Sequence, residues 1–383
     1  MLPEGWKNKS LGELTNEKLS YGANSSSIEI DRSNLRYIRI TDIDDQGNLS
    51  NDAVGIDPIE GSAYILKNND FLFARSGNTV GKTFLYCEKS HPPSAYAGYL
   101  IRYRPNSDKL LPIYLKHFCL SDTYHSWVKS QIRAGAQPNI NAKEYASLSL
   151  PIPPIPEQKK IAQILSTWDN AISATERLLE NSQQRKKALM QQLLTGKKRL
   201  PGFEGEWKSK PLSDIAEVYQ PKTISQSMLT ETGYPVYGAN GIIGFYEEFN
   251  HANEQIAVTC RGSTCGVVNW TQAQSWITGN AMVINTDNFP DISKKFLFYV
   301  LDGSNLSYLI SGSGQPQITG SIKAHTVKIP ALEEQQKIAA VLSTADQEIS
   351  ALQQKLEALK QEKKALMQQL LTGKRRVQVD DAA

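Results

Sequence analysis

Between Glu157 and Lys197 the apolar residues recur at steps of four and three: Ile161, Leu165, Trp168, Ile172, then Leu179, Leu189 and Leu193. That spacing lines up one face of a helix and suits a seam against a second helix. Thr175, Ser182 and Lys186 hold stripe positions and interrupt it. A fuller stripe follows Glu334, where Ile338, Leu342, Ala345, Ile349, Leu352, Leu356, Leu359, Leu366 and Leu370 fill nine of ten slots and Lys363 holds the tenth. Each pattern predicts a helix of about 39 residues, roughly 58 Å long at 1.5 Å per residue. Elsewhere the pattern is different. Tyr37–Ile40 and Tyr99–Tyr103 alternate at period two, the mark of half-buried strands. Further strands are expected at Phe71–Ala74 and Gln255–Val258. The run Asp44-Asp45-Gln46-Gly47-Asn48 reads as a turn, and Tyr114, Leu115, Phe118 and Cys119 share a helical face.

The two helical stretches are copies. Residues 157–199 align on 334–376 without a gap, at an offset of 177, with 28 of 43 positions identical. Lys186–Lys197 recurs letter for letter at Lys363–Lys374. The globular stretches echo one another only at their ends: Pro3-Glu4-Gly5-Trp6-Lys7 against Phe203-Glu204-Gly205-Glu206-Trp207-Lys208, and Gln137-Pro138-Asn139-Ile140-Asn141 against Gln315-Pro316-Gln317-Ile318-Thr319. A repeat of this kind organises the whole fold. The expected division is a globular domain over 1–150, a helical region over 151–200, a second domain over 201–330 and a second helical region over 331–383. Pro151-Ile152-Pro153-Pro154-Ile155-Pro156 is expected to break all hydrogen-bonded structure before a helix that starts near Glu157. Thr195-Gly196 should end that helix, with Lys197-Lys198-Arg199 where its dipole favours cations.

An isolated Leu/Ile stripe of this length needs a partner, and its own copy is at hand. The class expected is α+β, with two globular domains separated by two long antiparallel coiled-coil helices in a pseudo-twofold internal repeat. Lys186 and Lys363, at equivalent seam slots, either fix register or snorkel off the seam. A coiled coil alone also serves dimerisation or a non-catalytic scaffold for other proteins. Near-identical helices beside divergent globular parts look instead like one chassis carrying two readers. Duplex DNA, with recognition points about 34 Å apart on one face, is a ligand of that form.

Composition changes this picture little. The chain has 383 residues, 40% hydrophobic and 21% charged, enough for two cores, and its formal charge of +3 permits a nucleic-acid partner without arguing for one. Four cysteines without a CxxC pair suggest free thiols in a reducing compartment. The opening residues lack a signal-peptide core and no apolar run is long enough to cross a membrane, so a cytoplasmic protein is expected. The five histidines show no metal spacing. No nucleophile elbow, Cys/His pairing, glycine-rich cofactor loop or Asn-Pro-Pro-aromatic signature occurs, so no catalytic residue, metal ligand or cofactor is assigned.

Candidate binding chemistry lies in loops. Gly77–Thr83 resembles a phosphate-binding P-loop, but three residues separate its glycines where four are needed. It reads better as an exposed loop after a strand, with Arg75, Ser76, Asn78, Thr79 and Lys82 available to phosphates or base edges. Arg261, Ser263 and Thr264 form its counterpart. An ordinary hairpin with a surface arginine is the plain alternative. Tyr37, Arg39 and Thr41, with Tyr237 and Asn240, carry side chains suited to base and sugar contacts, although a strand tyrosine is equally suited to a core. Gln137, Asn139, Gln315 and Gln317 sit in turns ahead of the helices. Their amides match adenine, and turn building explains the same residues.

Taken in order, Pro3-Glu4-Gly5-Trp6, Leu150–Ala162, Tyr234-Pro235-Val236-Tyr237-Gly238-Ala239-Asn240-Gly241 and the twice-present Leu-Leu-Thr-Gly-Lys helix end resemble the specificity subunit of a type I restriction–modification system. The resemblance spans essentially the whole chain. It implies two target-recognition domains, each reading one half of a bipartite DNA sequence, and helices that set the unread spacer and dock two methyltransferase subunits. It also implies two motor/nuclease subunits, with S-adenosylmethionine, ATP and Mg on those partners and catalysis theirs alone.

Overall fold

The structure is a computed structural model describing all residues except 1, 32–33, 133–136, 240, 313–314 and 380–383. It contains two compact units, one made of 1–175 with 355–383 and the other of 176–354. Each unit therefore takes half of each long helix, Ile155–Leu193 and Leu332–Leu370.

In the first unit, Lys7–Ser10 pairs antiparallel with Ser149–Ile152. A four-stranded antiparallel sheet runs in the order Ser20–Tyr21, Leu100–Tyr103, Phe71–Ala74, Thr83–Leu85. A three-stranded sheet sets Leu35–Ile38 between Gly55–Ile56 and, in parallel, Ser94–Tyr96. The second unit repeats this plan in a different sequence. Lys208–Pro211 pairs with Thr326–Ile329. Its four-stranded sheet orders Glu217–Tyr219, Ala281–Asn285, Ile256–Thr259 and Val268–Trp270. Its three-stranded sheet sets Tyr234–Gly238 between Gly241–Tyr246 and, in parallel, Trp276–Ile277. Both central strands, Phe71–Ala74 and Ile256–Thr259, are buried at every position, which is why they read as continuous apolar runs. The helical face around Tyr114 belongs to Pro112–Cys119, followed by a second helix, Asp122–Gln131.

The proline run departs from expectation. Ser149–Ile152 is a strand, with Pro151 opposite Asn8. A two-stranded ribbon leaves one edge of each strand without a partner, so a missing N–H is tolerated there. Pro156 stands in the first helical turn, where no intrahelical bond is owed, and the helix starts at Ile155 rather than Glu157. Because its first and last strands pair, each globular part begins and ends on one side.

Within each unit the two half-helices pair antiparallel, through equivalent contacts. In the first, Arg376 bridges to Glu157, and Lys363 reaches Asp169 at 2.5 Å. In the second, Arg199 reaches Glu334 and Lys186 reaches Asp346, both at 2.6 Å. Lys186 and Lys363 thus span the seam through ion pairs instead of leaving it. Ile161, Leu165, Met367 and Leu370 join Trp6, Leu115 and Phe118 in the core of the first unit. Leu193, Ile338 and Leu342 join Phe296 and Leu301 in the second. The other stripe residues, Trp168, Ile172, Leu179, Leu189, Ile349, Leu352, Leu356, Leu359 and Leu366, are half-buried. Thr175 and Ser182 do not interrupt burial. Both are buried, the first hydroxyl donating to Ala171 O at 2.8 Å and the second to Glu348 Oε1 at 2.8 Å.

Buried Gln158 accepts from Leu111 N and donates to Lys109 O and Pro153 O, while Gln335 accepts from Ser293 N and donates to Asp291 O and Pro330 O. These amides lock each helix start to its own domain. No helix among the described residues is long and apolar enough to cross a membrane.

Candidate nucleic-acid interface

Two strings far apart in sequence meet in each domain. In the first, Gly77 N donates to Pro138 O (2.9 Å), Ile140 N donates to Arg75 O (2.8 Å), and Ser76 bridges to Asn139. In the second, Gly262 N donates to Pro316 O (3.0 Å), Ile318 N donates to Cys260 O (3.0 Å), and Arg261 bridges to Gln317. The loop after the central strand and the turn before the long helix are therefore one surface. Gly77 and Gly262 have φ of 67° and 83°, a region that disfavours side chains, and a Cβ at either would meet nothing within 4 Å. The backbone there is open to an approaching ligand.

The same bonds correct one correspondence. Arg261 matches Ser76, not Arg75, and Arg75 matches Cys260. Arginine stands two residues before the first loop glycine in one domain and one before it in the other. Adjacent strand-like positions face opposite ways, so the two arginines differ in setting. The Arg75 guanidinium lies 4.7 Å from the Tyr21 ring centroid, with Nε buried and unpartnered. Arg261 is exposed. Among the described residues neither arginine forms an ion pair.

The remaining candidates divide. Asn78, Gln137, Asn139, Ser263, Gln315 and Gln317 are exposed, and Ser76 is half-buried. Thr79 serves the turn, its hydroxyl donating to Ser76 O at 3.0 Å. Thr264 donates to Ala239 O at 3.5 Å, which latches the hairpin tip to the Arg261 loop. Lys82 folds back onto Ile43 O (3.2 Å) and Asp45 (3.0 Å). Tyr37 is core: its hydroxyl donates to Ala23 O at 2.7 Å, and burial raises its pKa. Tyr237 is also buried, its hydroxyl accepting from Gln272 N at 3.1 Å. Arg39 is bound to Asp42 at 2.8 Å, which raises the arginine pKa, while Thr41 is exposed. Asn240 lies outside the described residues.

Asn24, Ser25, Ser27 and Tyr99, which no sequence pattern marked, line an open cleft of about 470 Å³ together with the expected Tyr37, Arg39 and Thr41. Tyr99 is 62% exposed, and its carbonyl accepts from Arg75 N at 3.0 Å. Its place at the head of an alternating strand hid it as a candidate core residue. Among the described residues no group of three or more potential metal ligands occurs.

Two domains that present unlike side chains from one repeated backbone frame define a two-site recognition protein. A sequence model described as "Type I restriction modification DNA specificity domain" matches residues 3–181 and 204–361. The chain belongs to this family, whose role is DNA target specificity rather than catalysis. It is 24% identical over 354 residues to the type I restriction enzyme MjaVIII specificity subunit of Methanocaldococcus jannaschii, covering 82% of this chain and 81% of that one. It is 31% identical over 149 residues, 37% of each chain, to the EcoprrI specificity subunit of Escherichia coli. The type I S subunit from M. genitalium shares the fold, with a TM-score of 0.68 over 96% of both chains at 15% identity.

Proposed function

We propose that this chain is the specificity subunit of a type I restriction–modification complex and reads a bipartite DNA sequence. Residues 1–150 and 201–330 act as the two target-recognition domains. Residues 151–200 and 331–383 form the coiled-coil helical regions, which fix the spacer and dock two methyltransferase subunits. Two motor/nuclease subunits complete the complex, and S-adenosylmethionine, ATP and Mg²⁺ belong to these partners. The observation that carries this reading is the paired loop-and-turn surface, built by the same backbone bonds in both domains but bearing different side chains. A shared frame with exchanged side chains is what two unlike half-sites demand.

Selection from a random duplex pool, with the methyltransferase subunit present, tests it. Two conserved blocks at a fixed spacing are expected, and affinity should fall steeply with salt as phosphate contacts release counterions. Enrichment of no sequence would instead leave a protein-binding scaffold. Arg75→Ala and Arg261→Ala should each relax or weaken a different half-site. Uniform loss across unrelated sequences would mark these arginines as phosphate anchors.

A further inference from the structure

Resting on the DNA-reading assignment, we propose that Tyr99 and Asn280 are specificity-determining residues at one equivalent position of the two domains. The backbone makes the equivalence. Arg75 N donates to Tyr99 O at 3.0 Å, and at the matched position Cys260 N donates to Asn280 O at 2.9 Å. Each residue therefore sits across one hydrogen bond from the recognition loop of its own domain.

Each also follows a pinned glycine. A Cβ on Gly98 would fall 2.1 Å from Asn24 Oδ1, and one on Gly279 would fall 2.5 Å from Thr223 Oγ1. Gly98 N donates to Ala23 O at 2.7 Å, and the Gln220 side chain donates to Gly279 O. Tyr99 and Asn280 thus project from anchored backbone, and fixed placement is what base readout needs. Their side chains are otherwise uncommitted. Tyr99 is 62% exposed and Asn280 half-buried, and among the described residues neither side chain makes a hydrogen bond.

The chemistry suits base edges better than phosphates. Tyrosine hydroxyl donates and accepts, its ring can pack on a thymine methyl, and asparagine can bond adenine at two points. Neither carries the charge that anchors a backbone. Near Tyr99 the cleft adds neutral groups from Asn24, Ser25, Ser27 and Thr41, and its one lining cation, Arg39, is already held by Asp42 at 2.8 Å.

The test is random-duplex selection with the full chain and its methyltransferase subunit, comparing wild type with Y99A, Y99F and N280A. Thermal unfolding confirms that each variant is folded. Y99A should lose roughly 5- to 150-fold of base discrimination at one or two positions in one half-site and leave the other intact, as expected for one lost side-chain-to-base contact. N280A should do the same in the opposite half-site. Y99F separates hydroxyl readout from ring packing. Unchanged preferences in both halves, or equal loss for every sequence, would overturn the proposal while a two-part wild-type preference upheld the DNA-reading assignment. A wild-type protein without sequence preference would sink both.

Discussion

At the residue scale, two identical helix ends meet different surroundings, and this gives a paired test. Gly196 and Gly373 close the repeated Leu-Leu-Thr-Gly-Lys string with φ of 70° and 73°. A Cβ at 196 would stand 3.6 Å from the Trp207 ring, in ordinary contact, whereas one at 373 would stand 2.6 Å from Pro3. Gly196→Ala should therefore cost only the left-handed backbone strain, about 1–2 kcal/mol. Gly373→Ala adds a collision with a rigid proline and should lower the melting temperature more; equal losses would refute the packing argument. In each unit the opening tryptophan, Trp6 or Trp207, stands beside one of the duplicated helix ends. His117 supplies a pH test. Fully buried against Ser166, it is pushed down to about 4 by burial. Its folded pKa lies below the unfolded value of about 6.5, so the unfolded chain binds the proton more readily. Stability is then lost as pH falls from about 6.5 towards 4, on the order of 3 kcal/mol from this group at about 1.4 kcal/mol per pH unit. His117→Gln should flatten that part of the stability–pH curve, measured by urea unfolding at pH 7, 6 and 5, and an unchanged slope would assign the acid sensitivity elsewhere.

At the element scale, the helices were the legible part. Their seam repeats every three or four residues over 39 positions, and duplication doubled the signal. The sheets were less legible because most strands run only two to five residues, too short for a period to declare itself. Matching letters also misled: Arg75 and Arg261 looked equivalent, yet backbone bonding places them one residue out of step. Tyr37 and Tyr237 are buried, with their hydroxyls bonded to Ala23 O and Gln272 N, which alternation alone does not reveal. The seam lysines yield an ordered prediction. Lys363 is 9% exposed and its partner Asp169 37% exposed. Asp169→Asn leaves a buried ammonium without a counter-charge and should destabilise by roughly 2–3 kcal/mol, below the cost of breaking a fully buried pair because Asp169 is partly wet. Lys363→Met removes the buried charge and leaves a carboxylate that water reaches, so it should cost less. Urea midpoints of the two variants decide it, and the reverse order would mean that Lys363 reaches water after all.

At the scale of the whole molecule, the first unit is incomplete in sequence order. Its core takes Met367, Leu370 and Leu371 from the far end of the chain, and Arg376 and Lys363 close on Glu157 and Asp169. Residues 1–200 lack all of these but carry the same letters at Met190, Leu193, Leu194, Arg199 and Lys186. In a fragment of those residues, the helix end of one copy has the side chains to fill the open core of another. The exchange is reciprocal, so it closes as a symmetric dimer. The fragment should sediment as a dimer, and Leu193→Asp should abolish the dimer by placing a carboxylate in the buried seam. With the methyltransferase subunit, it should select a DNA site whose two halves are identical and inverted, because both readers are then the first domain. A folded fragment that stays monomeric at high concentration would show that the duplicated helix ends are not interchangeable. A dimer that selects an asymmetric site would show instead that the side chains carried by residues 1–150 do not choose the bases.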